Sequence, residues 1–206
     1  MSLDEFSQPT ATKQRLILVE GKDDLHLIQR ICGQEDLAGL IEIRFYGGVS
    51  RLRPFLGVLI KDAGFGKVTH IGLTRDADDG AASALQSLHD AWGYASQTLT
   101  DFGRTPPEAF FFALPDDQTT GRIENLCLQA PAFPEILTCA KRMYDCAVAV
   151  DPQPDAIDRE KSVITAYLSM MHRPGLELGT GAAAGCWDLN SAVFSPLREF
   201  IRAIAG

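Results

Sequence analysis

Four consecutive apolar residues, Leu16-Ile-Leu-Val19, run into Glu20-Gly-Lys-Asp-Asp24 and then into Leu25-His-Leu-Ile-Gln-Arg-Ile-Cys32, where apolar residues recur at helical spacing. This is a strand feeding a helix, with a lone acid where the strand stops. The same grammar returns fifty residues on. Val68 to Thr74 is rich in β-formers, Asp76 and Asp78 follow two apart, and after Gly80 an Ala/Leu-rich helix is predicted from Ala81 to about Trp92. A chain that repeats strand, acid, glycine and helix can build an α/β layered core with acids at the carboxyl ends of two strands.

In open α/β sheets that edge is where ligands bind. Alternate residues of an extended segment point the same way, so Asp76 and Asp78 can face one cation while Ala77 packs behind them. Glu20 supplies a third oxygen ligand. Carboxylates without His or Cys suit a hard cation, Mg2+ or Mn2+, which keeps several waters and binds substrate phosphate; no zinc site is implied.

The remaining strands frame this pair. Ile41-Glu-Ile-Arg-Phe-Tyr46 alternates as a strand near an edge and stops at Gly47-Gly48, glycines that permit a tight turn and close backbone approach by a ligand. Ser50 is expected to cap a helix from Arg51 to Lys61. Arg51 and Arg53 sit unfavourably at that helix start, so an anionic partner and plain solvation are both open readings. Glu108-Ala-Phe-Phe-Phe-Ala-Leu114 is apolar enough to lie inside a sheet covered on both faces. Gly93 to Pro107 reads as a loop. Asp116 and Asp117 read as a polar turn, and Glu124, in the first turn of a helix after Gly121, is a further metal or supporting ligand.

After Gln129 the composition turns helical: Phe133 to Val148 with Cys139 and Cys146 on one face, a linker at Asp151-Pro-Gln-Pro154, a helix from Asp158 to Met171 stopped by Pro174, a small-residue irregular segment from Gly179 to Gly185, and a last helix from Ser195. The expected organisation is a flexible start at 1–14, an α/β core at 15–130 and a helical extension at 131–206 packed on it. The five cysteines, without a C-x-x-C, read as reduced buried thiols, and with no apolar run approaching the roughly 20 residues of a membrane span the expected location is cytoplasmic. Isolated histidines, His26, His70 and His89, read as structural. A net charge of -8 at pH 7 is a poor basis for gripping long nucleic acid by electrostatics alone.

Val-Glu20-Gly-Lys-Asp-Asp24 followed by Asp76-Ala-Asp78 resembles the signature of the Toprim domain of topoisomerases, primases and nucleases of the overcoming-lysogenization-defect type. Together with Gly47-Gly48, Leu114-Pro-Asp-Asp-Gln118, Gly121-Arg-Ile-Glu-Asn125, Arg173-Pro-Gly-Leu-Glu-Leu-Gly-Thr-Gly181 and Trp187-Asp-Leu-Asn190 it resembles a small stand-alone Toprim-like family of bacterial proteins of unknown function. Many Toprim domains place a glycine three residues after the second Asp, whereas Gly80 follows Asp78 by two. The resemblance implies a Toprim-like, Rossmann-like, mainly parallel four-stranded sheet between helices with a C-terminal helical extension. It also implies a metal-dependent phosphoryl-transfer enzyme, most plausibly a nuclease acting on nucleic acid or nucleotide phosphate. Glu20, Asp76 and Asp78 would hold Mg2+ or Mn2+, with Glu20 also general base or acid and Lys22 offsetting phosphate charge. Asp24, Gly47, Gly48, Arg75, Asp79 and Glu124 are further candidates. The alternative is a non-catalytic module binding metal or nucleotide, with a protein partner in a repair or defence assembly.

Overall fold

The computed structural model of the chain describes residues 10–78, 80–150, 158–171, 173 and 175–206. The expectations for the first nine residues, Asp79, the Asp151–Pro154 linker and the stop at Pro174 fall outside the described residues.

Four strands, β1 (Arg15–Val19), β2 (Ile41–Phe45), β3 (His70–Asp76) and β4 (Glu108–Leu114), form one all-parallel sheet in the order β2-β1-β3-β4. The α/β reading therefore holds. Because side chains alternate across a strand, Leu16, Leu18, Ile71 and Leu73 face α2 (Leu52–Leu59) and α3 (Ala81–Asp101), meeting Leu56, Leu59, Leu88 and Trp92. On the other face Ile17, Val19, Phe112 and Leu114 join Leu27 and Ile31 of α1 (Lys22–Gln34) and Ile201 and Ile204 of α8 (Ser195–Ala205). Both faces are covered, which is why Leu16–Val19 of β1 and Ile71–Leu73 of β3 are apolar, while the polar residues of β3 gather at its two ends.

The remaining helices, α4 (Ile123–Gln129), α5 (Pro134–Val150), α6 (Arg159–Ser169) and α7 (Leu178–Ala183), extend the second cluster, where Tyr167 stacks on Trp187 at a centroid distance of 5.1 Å. The final helix docks where β3 lacks a side chain: a Cβ on Gly72 would stand 2.3 Å from Ile204 Cδ1 and 2.8 Å from Phe200 Cζ.

Several local expectations are corrected. Residues 93–101 are not loop but the second half of α3, because Ala84, Leu88, Ala91, Ala95 and Leu99 continue one buried stripe past Gly93. Ser50 does not cap α2; the chain enters through a 3-10 turn over Val49–Arg51, closed by Arg51 N–H donating to Gly48 O at 2.9 Å, and α2 has no side-chain cap bond. The small-residue segment is the helix α7, and its smallness is a packing requirement: a Cβ on Gly179 would lie 2.6 Å from His26 Cβ on α1. Cys32, Cys127 and Cys186 are buried, but Cys139 and Cys146 are exposed, since α5 buries Leu137 and Ala140 and turns the cysteine face outward. No helix among the described residues is long and apolar enough to cross a membrane.

Candidate functional site

At the carboxyl edge of the sheet a cleft of about 400 Å3 opens between the ends of β1, β2 and β3 and the start of α4. It is lined by Glu20, Asp23, Asp24, Asp76 and Glu124, with Lys22 and Lys161 as the cations, and by Gly47 and Gly48. Glu20 stands one residue past β1 and Asp76 is the last residue of β3. The parallel pairing of these strands, Leu18 beside Leu73, brings their ends to one place.

Five carboxylates against two ammonium groups make this a site of unbalanced negative charge. Asp24 is 4% exposed and accepts a 2.8 Å hydrogen bond from Gly21 N–H, closing the start of α1. Burial, with Glu124 and Glu20 adding repulsion, pushes its carboxyl up to about 7. Asp76 is pushed up to about 8, by burial first and then by Asp24, Glu124, Glu20 and Asp78. Glu20 and Glu124 are raised too, each mainly by burial, while the Arg75 guanidinium pulls Glu20 back and Lys161, 4.0 Å away, pulls Glu124 back. Glu20 Oε2 and Arg75 Nε are buried without a hydrogen-bond partner.

The strand geometry ends sooner than the Asp-x-Asp spacing suggests. Ala77 is buried behind the site as expected, yet Asp78 has φ 43, a left-handed turn, and its amide donates to Gly121 O at 2.9 Å. Its carboxylate is held by Arg122 Nε at 2.9 Å, and Arg122 also pairs with Asp158. Asp78 adds to the charge felt by Glu20 and Asp76, but its ion partner is a guanidinium. Lys22 begins α1 with its ammonium 5.7 Å from the centre of the Phe45 ring.

Of the sequence candidates, Glu20, Lys22, Asp24, Asp76, Gly47, Gly48 and Glu124 share the cleft, Arg75 acts on Glu20 from beside it, and Asp78 is tied to Arg122. Asp79 lies outside the described residues. Sequence reasoning missed Asp23, whose Oδ1 accepts from Gly179 N–H at 2.8 Å, and Lys161, delivered by a helix far along the chain. Asp23 stood unsingled within the Glu20–Asp24 stretch, and Lys161 carries no local signal. His70 stacks on Phe110 and His89 packs on Phe111, and neither lines the acidic cleft.

The donors suit a hard divalent cation, being all oxygen, crowded, and including a buried oxygen with no partner. Among the described residues no three His, Cys, Asp or Glu side chains are grouped tightly enough to enclose an ion by themselves. Mg2+ does not need such a cage, since one or two carboxylates suffice when water and phosphate complete its shell.

A model of a protein family of unknown function, DUF3226, matches residues 14–206. The chain belongs to this family. The DUF3226 match runs through both the sheet and the C-terminal helices, as the stand-alone family resemblance implied. No curated protein matches the chain. Among solved structures it is similar to the C-terminal region of the Burkholderia pseudomallei OLD protein, at 16% identity over 95% of this chain and 100% of that one with a TM-score of 0.49. It is likewise similar to the C-terminal region of the Xanthomonas campestris pv. campestris OLD protein, at 15% identity over 94% of each chain with a TM-score of 0.47.

Proposed function

We propose that this DUF3226 protein is a divalent-metal-dependent phosphodiesterase acting on nucleic acid, a nuclease, with its chemistry in the acidic cleft. The observation that carries this reading is the convergence of Glu20, Asp24, Asp76 and Glu124 on one cleft at the carboxyl edge of the sheet, with Glu20 Oε2 buried and unpartnered. Glu20 and Asp76, supported by Asp24 and Glu124, would hold Mg2+ or Mn2+, and Asp78 would join them on release from Arg122. Bound there, the ion would supply an acidified water and charge neutralisation on the phosphate.

The side chains take the other roles. Glu20, its carboxyl raised by burial and so more basic than an exposed carboxylate, would accept a proton from the attacking water. Asp24 fixes the Gly21 turn, which carries Glu20 on one side and Lys22 on the other. Lys22 and Lys161 present ammonium groups to the non-bridging oxygens of a phosphate entering between them. Gly47 and Gly48, both at positive φ, leave bare backbone at the mouth, where a sugar-phosphate chain can approach.

The test uses purified protein with single-stranded, double-stranded and nicked DNA and with RNA, in Mg2+ or Mn2+. Cleavage above an Asp76→Ala/Asp78→Ala control is expected, and Glu20→Gln should keep substrate binding while turnover falls on the order of 100-fold or more. Equal behaviour of parent and control on every substrate would end the nuclease reading. A second reading, a module that binds metal or nucleotide without turnover, is favoured by one observation: Asp78 is already engaged in an ion pair with Arg122. It predicts metal-dependent nucleotide binding with no product formed.

A further inference from the structure

A second cleft, of about 410 Å3, lies beside the acidic one, between the entry to α2 and the first turns of α3. Its polar lining is Ser50, Arg53, Ser83, Gln86, Ser87 and Asp90. One short turn divides the two: Gly47 and Gly48 line the acidic cleft and Val49 lines the other. Arg51 reaches back over that divide, with Nη1 3.6 Å from where a Cβ on Gly47 would stand.

The chemistry changes across the turn. The second cleft presents three hydroxyls, an amide and a guanidinium, and its single carboxylate, Asp90, already accepts from Gln86 Nε2 at 2.7 Å. Ser83 Oγ donates to Gly80 O at 2.8 Å, and neither α2 nor α3 has an acid in its first turn. With one guanidinium against one carboxylate, this surface is far less negative than the acidic cleft, and Arg53, Ser50 and Ser87 offer it donors. Groups of this kind position a nucleic acid through phosphate and sugar oxygens. Arg53 thus acquires a setting that its unfavourable place at a helix start did not explain.

We infer that this groove holds the sugar-phosphate backbone of a polynucleotide strand whose neighbouring phosphate lies in the acidic cleft, so that the substrate is a chain of nucleotides and not a mononucleotide. The inference rests on the phosphodiesterase reading of the acidic cleft. Arg53 is the principal contact, and Ser50 and Ser87 add hydrogen bonds.

The experiment separates the two clefts by probe. Anisotropy of a fluorescein-labelled single-stranded oligonucleotide of about 12 nucleotides reads the groove, and hydrolysis of bis-p-nitrophenyl phosphate in Mn2+, a diester too small to span both clefts, reads the acidic one. Arg53→Glu is expected to weaken oligonucleotide binding by about tenfold or more and to flatten the salt dependence by about one unit, with small-diester hydrolysis at the parental rate. Ser87→Asp, which brings a carboxylate into the groove from the other helix, should do the same, and thermal melts check that both variants fold. Parental affinity in both folded variants, no oligonucleotide binding by the parent, or loss of binding and small-diester hydrolysis together would each overturn the inference. A parent that binds the oligonucleotide through Arg53 yet leaves the small diester intact would sink the nuclease reading while supporting the groove.

Discussion

Asp76 is the residue at which fold and site pull against each other. Burial and four neighbouring carboxylates hold its proton on to about pH 8, so above that pH the folded chain carries an ionised carboxylate that it would rather not have. Asp76→Asn keeps the shape and removes that charge. In EDTA at pH 8.5 the variant is expected to melt above the parent; in millimolar Mg2+ the parent should gain thermal stability while the variant gains little, because only the parent has the ligand that makes binding stabilise the folded state. Differential scanning fluorimetry with and without metal checks both signs, and a parent indifferent to metal would sink the metal site. At the same scale the carboxyl edge was legible from Glu20, Asp76 and Glu124 as letters in a pattern. The engagement of Asp78 with Arg122 was not, because an ion pair spanning 44 residues depends on where two loops meet.

Two helices show how glycine decides packing at the scale of an element. Gly93 lies mid-way along α3 on its exposed side with nothing within 4 Å of an added Cβ, so Gly93→Ala should raise stability by about 0.4–1 kcal/mol through the smaller entropy of its unfolded chain. Gly179 is the opposite case. With His26 Cβ at 2.6 Å and Asp23 O at 2.8 Å, Gly179→Val must push α7 off α1 and should cost about 1–3 kcal/mol or more in urea denaturation. The same variant is expected to disturb the cleft, since Gly179 N–H donates to Asp23. The sequence read Gly93 as the start of a loop and Gly179 as part of a small-residue irregular segment; the packing of Gly179 against α1 is a contact between distant segments, which no local pattern encodes.

For the molecule as a whole the cleft sets the pH dependence of stability. Asp76 and Asp24 at about 8 and 7, with Glu20 and Glu124 raised as well, bind more protons folded than unfolded between the ordinary carboxylate range and about pH 8. Stability from these groups is therefore full below about pH 4, the unfolded carboxylate value, and is lost as the pH rises through 7 and 8, since stability falls wherever the folded state holds more protons. Without divalent metal the urea midpoint should be lower at pH 8.5 than at pH 5.5, and Mg2+ should narrow that gap. Asp116 and Asp158, whose carboxyls are held low, act only at more acid pH and do not mask the trend. A midpoint that rises between pH 5.5 and 8.5 in EDTA would show that the carboxylates are not crowded in solution.

By itself the sequence determined the strands, their order of alternation with helices, and the acids at the strand ends, because hydrophobic periodicity and breaker residues act over a few neighbours and are written locally. The family signature was legible for the same reason. The tertiary structure alone decided that β1 and β3 lie side by side and bring Glu20 to Asp76, that Glu124 on α4 and Lys161 on α6 of the helical extension reach the same cleft, and that a second cleft adjoins it across Gly47 and Gly48. Those are juxtapositions of segments as far apart as Glu20 and Lys161, fixed by which apolar faces bury each other, and the burial that raises the carboxyls of Asp24 and Asp76 exists only after that packing is complete.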